Sequence, residues 1–132
     1  MELTYTYTSN IHGRGIFAKS NISSGEIIER CPVIEIPTNQ IPDLKKTNLI
    51  NYYFMWGEDL SSGAIAFGNG SLYNHSYEPN ATFDIIIKEQ IIEIKAIKDI
   101  EKDKEITINY NGDPNDTDPL LEHYNIKYSV EI

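Results

Sequence analysis

Gly68-Asn69-Gly70-Ser71-Leu72-Tyr73-Asn74-His75-Ser76-Tyr77-Glu78-Pro79-Asn80-Ala81 runs from a glycine turn through an apolar pair into a crowd of polar side chains, with Pro79 stiffening the exit. The pattern predicts short strands at Ile65–Phe67 and Leu72–Tyr73, joined by the glycine turn. Just downstream, Thr82–Ile97 carries two β-branched runs around Lys88-Glu89-Gln90 and reads as a hairpin, although the turn lacks the Asn-Gly or Gly that two-residue hairpins favour. Lys104-Glu105-Ile106-Thr107-Ile108-Asn109-Tyr110 predicts one more strand, with Ile106 and Ile108 on one face, ended by Asn111-Gly112-Asp113-Pro114.

Upstream, Leu3–Thr8 alternates apolar and polar residues as a half-buried strand does. Gly13-Arg14-Gly15 leads into a second strand at Ile16–Lys19. Ile27–Ile36 is a longer apolar run in which Pro32 points to an edge or a kink. Leu49–Trp56 is apolar and aromatic without a distinct period. The 22 isoleucines against 7 leucines favour sheet, because β-branched side chains suit a pleated surface. The fold class that follows is mainly β, α+β at most, without a βαβ repeat.

The chain has 132 residues, one domain's worth, and a formal net charge of −9. Residues 99–132 hold 9 acids and 3 bases and supply −6 of it. Such a balance argues against direct nucleic-acid binding, which needs clustered Lys and Arg, and against an anionic membrane surface. Basic proteins or peptides are the matching partners. Cys31 is the single cysteine, which excludes an intrachain disulfide and a Cys-rich zinc cluster; in its apolar strand it reads as core. No run reaches the ~18 apolar residues of a membrane span, and no signal peptide is legible, so a cytoplasmic location is expected.

Taken residue by residue, the polar positions stay open. Gly13-Arg14-Gly15 is either a plain turn or a place where backbone approaches a ligand; it lacks the third glycine of a dinucleotide fingerprint. His75 has no ligand spacing to His12 or His123, so a structural histidine is preferred to a metal ligand. Ser76 sits in no nucleophile elbow. Tyr110 ends a strand, where a hydroxyl can reach a site or simply pack.

Together and in order, Gly13-Arg14-Gly15-Ile16-Phe17-Ala18, the Gly68–Ala81 stretch and Lys104–Tyr110 resemble the SET domain of protein lysine methyltransferases, most of all its small stand-alone bacterial and viral members. The resemblance covers roughly residues 3–112. It implies a SET-type β-clip fold of several small sheets with a C-terminal pseudoknot. It implies S-adenosylmethionine as methyl donor, S-adenosylhomocysteine as product, no metal, and lysine in a basic protein (a histone, a histone-like or a ribosomal protein) as acceptor.

By position, the resemblance assigns His12, Gly13 and Arg14, with Asn74 and His75, to the donor, and Tyr110 to catalysis. It places Tyr52 and Phe83 along the lysine channel. Phenylalanine at 83 leaves more room than tyrosine, which favours more than one methylation. Many relatives close the channel with a cysteine-bound zinc after the domain, and residues 111–132 contain no cysteine. That divides the chain into a core at 1–112 and an acidic tail at 113–132, with a short helix expected over Pro119–Tyr124, capped by Asp118. Leu120, Leu121, Tyr124 and Tyr128 are then candidates for a lid, against simple packing of the tail. A monomer or a homodimer fits equally. The alternative function is a SET-like module that binds basic peptides without catalysis.

Overall fold

The β-branched run from Ala81 to Ala96 folds back on itself as expected, pairing β7 (Ala81–Ile86) with β8 (Ile91–Ala96) over six antiparallel partners from Ala81↔Ala96 to Ile86↔Ile91. The turn is one 3-10 turn at Ile87–Glu89, closed by Gln90 in the left-handed region at φ +55°. In this computed structural model, residues 2–120 are described.

Two sheets carry the fold. A five-stranded sheet has the order β4-β5-β3-β8-β7, where β3 is Ile27–Ile36, β4 Tyr53–Trp56 and β5 Ser62–Ala66. A four-stranded sheet has the order β1-β2-β9-β6, where β1 is Thr4–Thr8, β2 Arg14–Ala18, β6 Asn74–His75 and β9 Glu105–Ile108. Helical residues are few: α1 (Ile41–Leu44) and short 3-10 turns at Thr38–Gln40, Asn48–Asn51 and Gly70–Leu72. The mainly β architecture is as predicted.

Isoleucine fills the core. Ile16, Ile92, Ile94, Ile106 and Ile108 are each fully buried, packed with Trp56 and Tyr73. Ile106 and Ile108 share a face, and Thr107 on the opposite face is also buried, so both faces of β9 are covered.

Two local expectations are corrected and one open stretch is resolved. Pro32 lies not in an outer strand of the sheet but where β3 passes from one partner strand to the other. β3 is the central strand, pairing with β8 through Pro32 and with β5 from Val33 onward. A residue without an amide N–H is tolerated at that handover, where its carbonyl still accepts from Phe67 N at 2.9 Å. The irregularity in β3 falls between Ile27 and Glu29 instead. Leu72–Tyr73 is no strand. The Asn69 carbonyl accepts from Leu72 N at 2.9 Å and closes a 3-10 turn, so the strand begins at Asn74. Leu49–Trp56 divides in two, because Thr47 accepts from Leu49 N and starts a 3-10 turn before β4 begins.

Residues 118–120 are not helical. The rest of the expected helix, with Leu121, Tyr124 and Tyr128, lies outside the described residues. Among the described residues no helix is long and apolar enough to cross a membrane.

Candidate functional site

The Gly68–Ala81 stretch is bound to β9 twice. Asn74 and His75 form the parallel strand β6 beside Thr107 and Ile108. Five residues on, the Asn80 side chain copies a strand: its Nδ2 donates to the Glu105 carbonyl and its Oδ1 accepts from Thr107 N, both at 2.9 Å. The polar residues after the apolar turn thus fix the position of β9, and Tyr110 two residues beyond it.

Tyr110 is held from three sides. Its hydroxyl donates to the Tyr73 carbonyl at 2.7 Å, its amide donates to His75 Nδ1 at 2.9 Å, and its ring lies 5.3 Å from the imidazole. An imidazole whose Nδ1 accepts from an amide is a neutral acceptor there, in line with the structural reading of His75. The same ring stands edge-on to Tyr77 at 4.4 Å. His75 does not line the groove formed by the other expected donor residues.

Tyr73 is itself anchored. Its hydroxyl donates to Glu29 Oε1 at 2.8 Å, while Glu29 Oε2 accepts from Asn69 N at 2.9 Å. Burial, then the Glu29 charge, pushes the Tyr73 phenol well above its ordinary range. The same two causes push the buried Cys31 thiol up to about 12, so Cys31 stays protonated and is core, not nucleophile.

Around Asn74, four acceptors stand within hydrogen-bond reach of Nδ2: Ser9 Oγ at 3.1 Å, the His12 carbonyl at 3.1 Å, the Arg14 carbonyl at 3.0 Å and Glu105 Oε2 at 2.8 Å. Ser9 Oγ also donates to Glu105 Oε1 at 2.7 Å and accepts from Ile11 N at 2.9 Å. The loop from Ser9 to Arg14 is therefore pinned to β6 and β9 by side chains of both. Gly15 suits this crossing, since a Cβ there would run into the Glu105 carboxylate and displace it from Ser9 and Asn74.

Two cavities result. A groove of about 170 Å³ is lined by His12, Gly13, Arg14, Tyr52, Leu72 and Asn74. A narrow crevice of about 20 Å³ is walled by aromatic rings, with Tyr52, Tyr53, Phe54, Tyr73, Phe83 and Tyr110 among its lining. Tyr52 belongs to both and forms their common wall. Phe54 and Phe83 meet edge to face at 5.1 Å. Gly70 also lines the crevice, and a Cβ on it would lie 2.5 Å from that of Ala66 and 3.0 Å from Cys31 Sγ.

Of the residues singled out from the sequence, His12, Gly13, Arg14 and Asn74 come together at the groove, and Tyr52, Phe83 and Tyr110 at the crevice. Tyr124 lies outside the described residues. Among the described residues no group of three or more His, Cys, Asp or Glu side chains is placed to hold a metal ion. Ser9, Glu29 and Glu105 were not anticipated. Glu105 had a signal, heading the strand that leads to Tyr110; Ser9 and Glu29 had none.

Residues 13–111 match the family model described as SET domain. The chain belongs to the SET-domain family. It is 27% identical over 99 residues to the histone-lysine N-methyltransferase, H3 lysine-37 specific, of Schizosaccharomyces pombe, an alignment covering 74% of this chain and 66% of that one. A crystal structure from Plasmodium falciparum, classed with the histone methyltransferases, is 34% identical, covers 83% of this chain and 94% of its own, and superposes with a TM-score of 0.70. The Polycomb Repressive Complex 2 of Chaetomium thermophilum, solved in an autoinhibited conformation bound to S-adenosylmethionine, shares the fold. Its TM-score is 0.71 at 22% identity, over 86% of this chain and 16% of that one.

Proposed function

We propose that this SET domain methylates lysine side chains of a basic protein with S-adenosylmethionine as donor. The observation that carries the reading is that Tyr52 lines both cavities, which sets the groove at His12, Arg14 and Asn74 against an aromatic crevice that Tyr110 lines. At about 170 Å³ the groove is smaller than the ~300–1,000 Å³ usual for small-molecule sites. It therefore seats part of the donor, and the main-chain carbonyls of its lining residues His12 and Arg14 suit the ammonium of the donor's amino-acid end. When bound, the donor supplies a methyl group on a sulfonium, ready for in-line displacement.

The chain's own residues do the rest. An apolar, ring-lined crevice disfavours an ammonium ion by desolvation and so favours the neutral amine that attacks. Tyr110 gives its hydroxyl hydrogen to the Tyr73 carbonyl, which leaves the phenolic oxygen as an acceptor on a residue that lines the crevice. It can then align an N–H of the incoming amine without removing a proton. Holding nucleophile and methyl near attack distance is worth up to ~7–11 kcal/mol.

The name of the Schizosaccharomyces pombe relative supports a histone as substrate, and the −9 charge supports a basic one. A reducing, cytoplasmic setting is part of the proposal, resting on the single cysteine.

The test is incubation with labelled S-adenosylmethionine and a panel of histones and other basic proteins, beside Tyr110→Phe and Asn74→Ala. Transfer by the wild type and its loss in both variants is the expected result. Donor binding without transfer to any protein supports a peptide-binding module instead, and no donor binding overturns the reading.

A further inference from the structure

The turn at Gly68-Asn69-Gly70 offers an extended substrate neither the Asn69 nor the Gly70 amide: Asn69 N donates to Glu29 and Gly70 N to the Phe67 carbonyl, so both are engaged inside the chain. A different surface is open. β4 is an edge strand of the five-stranded sheet, and on it Phe54 and Trp56, two residues apart, share one face. Phe54 lines the crevice; Trp56 lines a separate groove of about 330 Å³.

That groove is walled by Ile36, Pro37, Trp56 and Ile87 and carries one charged group, Glu35. Glu35 Oε2 accepts from Trp56 Nε1 at 2.8 Å, which fixes the carboxylate against the apolar wall. The Ser62 hydroxyl, also in the lining, donates to the Trp56 carbonyl. Between Thr47 and Ile87 stand Glu58, Asp59, Glu78 and Asp84, with neither Lys nor Arg, while Lys46 and Lys88 flank the segment. This segment supplies most of the crevice lining and, with Trp56, Gly57 and Ser62, three of the seven residues that line the groove.

We propose that the Glu35–Trp56 groove is a subsite for a second basic side chain, arginine or lysine, of the peptide whose target lysine enters the crevice. The methylation of that lysine rests on the function proposed above; the groove itself does not. The apolar wall accepts the aliphatic stem of a basic side chain, and Glu35 accepts its charged end. Phe54 to Trp56, on their shared face, is two strand steps, about 7 Å. An extended peptide lying along β4 therefore places the second basic residue within about four positions of the target lysine.

Trp56 is the only tryptophan of the chain, so its emission reports on the groove directly. The probes are twelve-residue Gly/Ser peptides with one central lysine and one arginine, placed in turn at each of the four positions on either side, and their Arg→Gln counterparts. One arginine register is expected to give a saturable change in Trp56 emission, about tenfold tighter than its Gln counterpart. Glu35→Gln keeps an acceptor for Trp56 Nε1 and should erase that difference. Ile87→Arg, at a partly exposed wall position, supplies the cation in cis and should erase it too, which covers the case of a misfolded Glu35 variant. Tyr110→Phe should leave it intact.

Equal affinity of Arg and Gln peptides in every register, or an arginine preference undiminished in both variants, overturns the proposal. A Glu35-dependent Trp56 response in a protein that methylates nothing keeps the groove and rejects the methyltransferase. Methylation with the same KM for Arg and Gln peptides, and no Trp56 response, does the reverse.

Discussion

The Tyr110 hydroxyl lies 2.7 Å from the main-chain carbonyl of Tyr73 and donates to it. A phenol that has committed its hydrogen presents an acceptor to whatever approaches. Tyr110→Phe removes that acceptor and leaves the ring. We predict a fall in kcat of about 100-fold or more, the scale of losing one preorganised polar group at a reacting centre. Donor affinity measured by calorimetry should stay unchanged.

Glu29 acts two steps away. It holds the Tyr73 hydroxyl and the Asn69 amide, and Tyr73 in turn positions Tyr110. Glu29→Ala leaves a buried phenol unpartnered, a loss of about 1–3 kcal/mol. Both the thermal midpoint and kcat should fall, with KM for donor little changed. Glu29→Gln, which can still accept from one partner, should recover part of each.

Asn74 joins the loop carbonyls of His12 and Arg14 to Glu105 on β9. Asn74→Ala is expected to raise the dissociation constant for S-adenosylmethionine by at least about tenfold, the equivalent of one lost hydrogen bond. Calorimetric titration checks it. Undiminished donor binding would separate Asn74 from the donor groove.

Cys31 makes stability depend on alkaline pH. Its thiol is raised from 9.0 to about 12, chiefly by burial. The folded state keeps the proton that the unfolded chain gives up near 9. The stabilisation is complete below that pH, declines as pH rises, and is gone by about 12. Tyr73 shifts in the same direction. Urea midpoints should therefore fall above pH 9, with a shallower slope in Cys31→Ala. Thiol reagents at pH 8 should modify Cys31 only in denaturant.

Phe83 lines the crevice and packs edge-on against Phe54. Phe83→Tyr adds a hydroxyl to a narrow space. Mass spectrometry of a methylated substrate should show the wild type adding more than one methyl group and the variant shifted towards monomethyllysine.

The strands were legible wherever β-branched residues alternate or run together, as in the β7–β8 hairpin and β3. What hid from the sequence was mediated by polar side chains acting on distant backbone. Nothing local marks Glu29 as the partner of Tyr73, 44 residues on, or Ser9 as the partner of Glu105, 96 residues on. The 3-10 turns at Asn48–Asn51 and Gly70–Leu72 escaped for another reason. Their apolar content imitates strand, and only the hydrogen bonds closed by Thr47 and Asn69 distinguish them. The groove and crevice residues were legible because family motifs keep them together; the Glu35–Trp56 groove belongs to no motif and emerged only in three dimensions.

β9 sits between β2 and β6, and this bears on how the molecule forms. During synthesis, β1 and β2 can pair early, but their sheet stays unfinished until residues 105–108 arrive to fill its centre. Joining positions so far apart is slow, because loop closure must precede the contacts that reward it. The strand that completes the sheet also delivers Tyr110. A nascent chain would therefore complete its core and gain its reactive crevice in the same event, with no active stage before it.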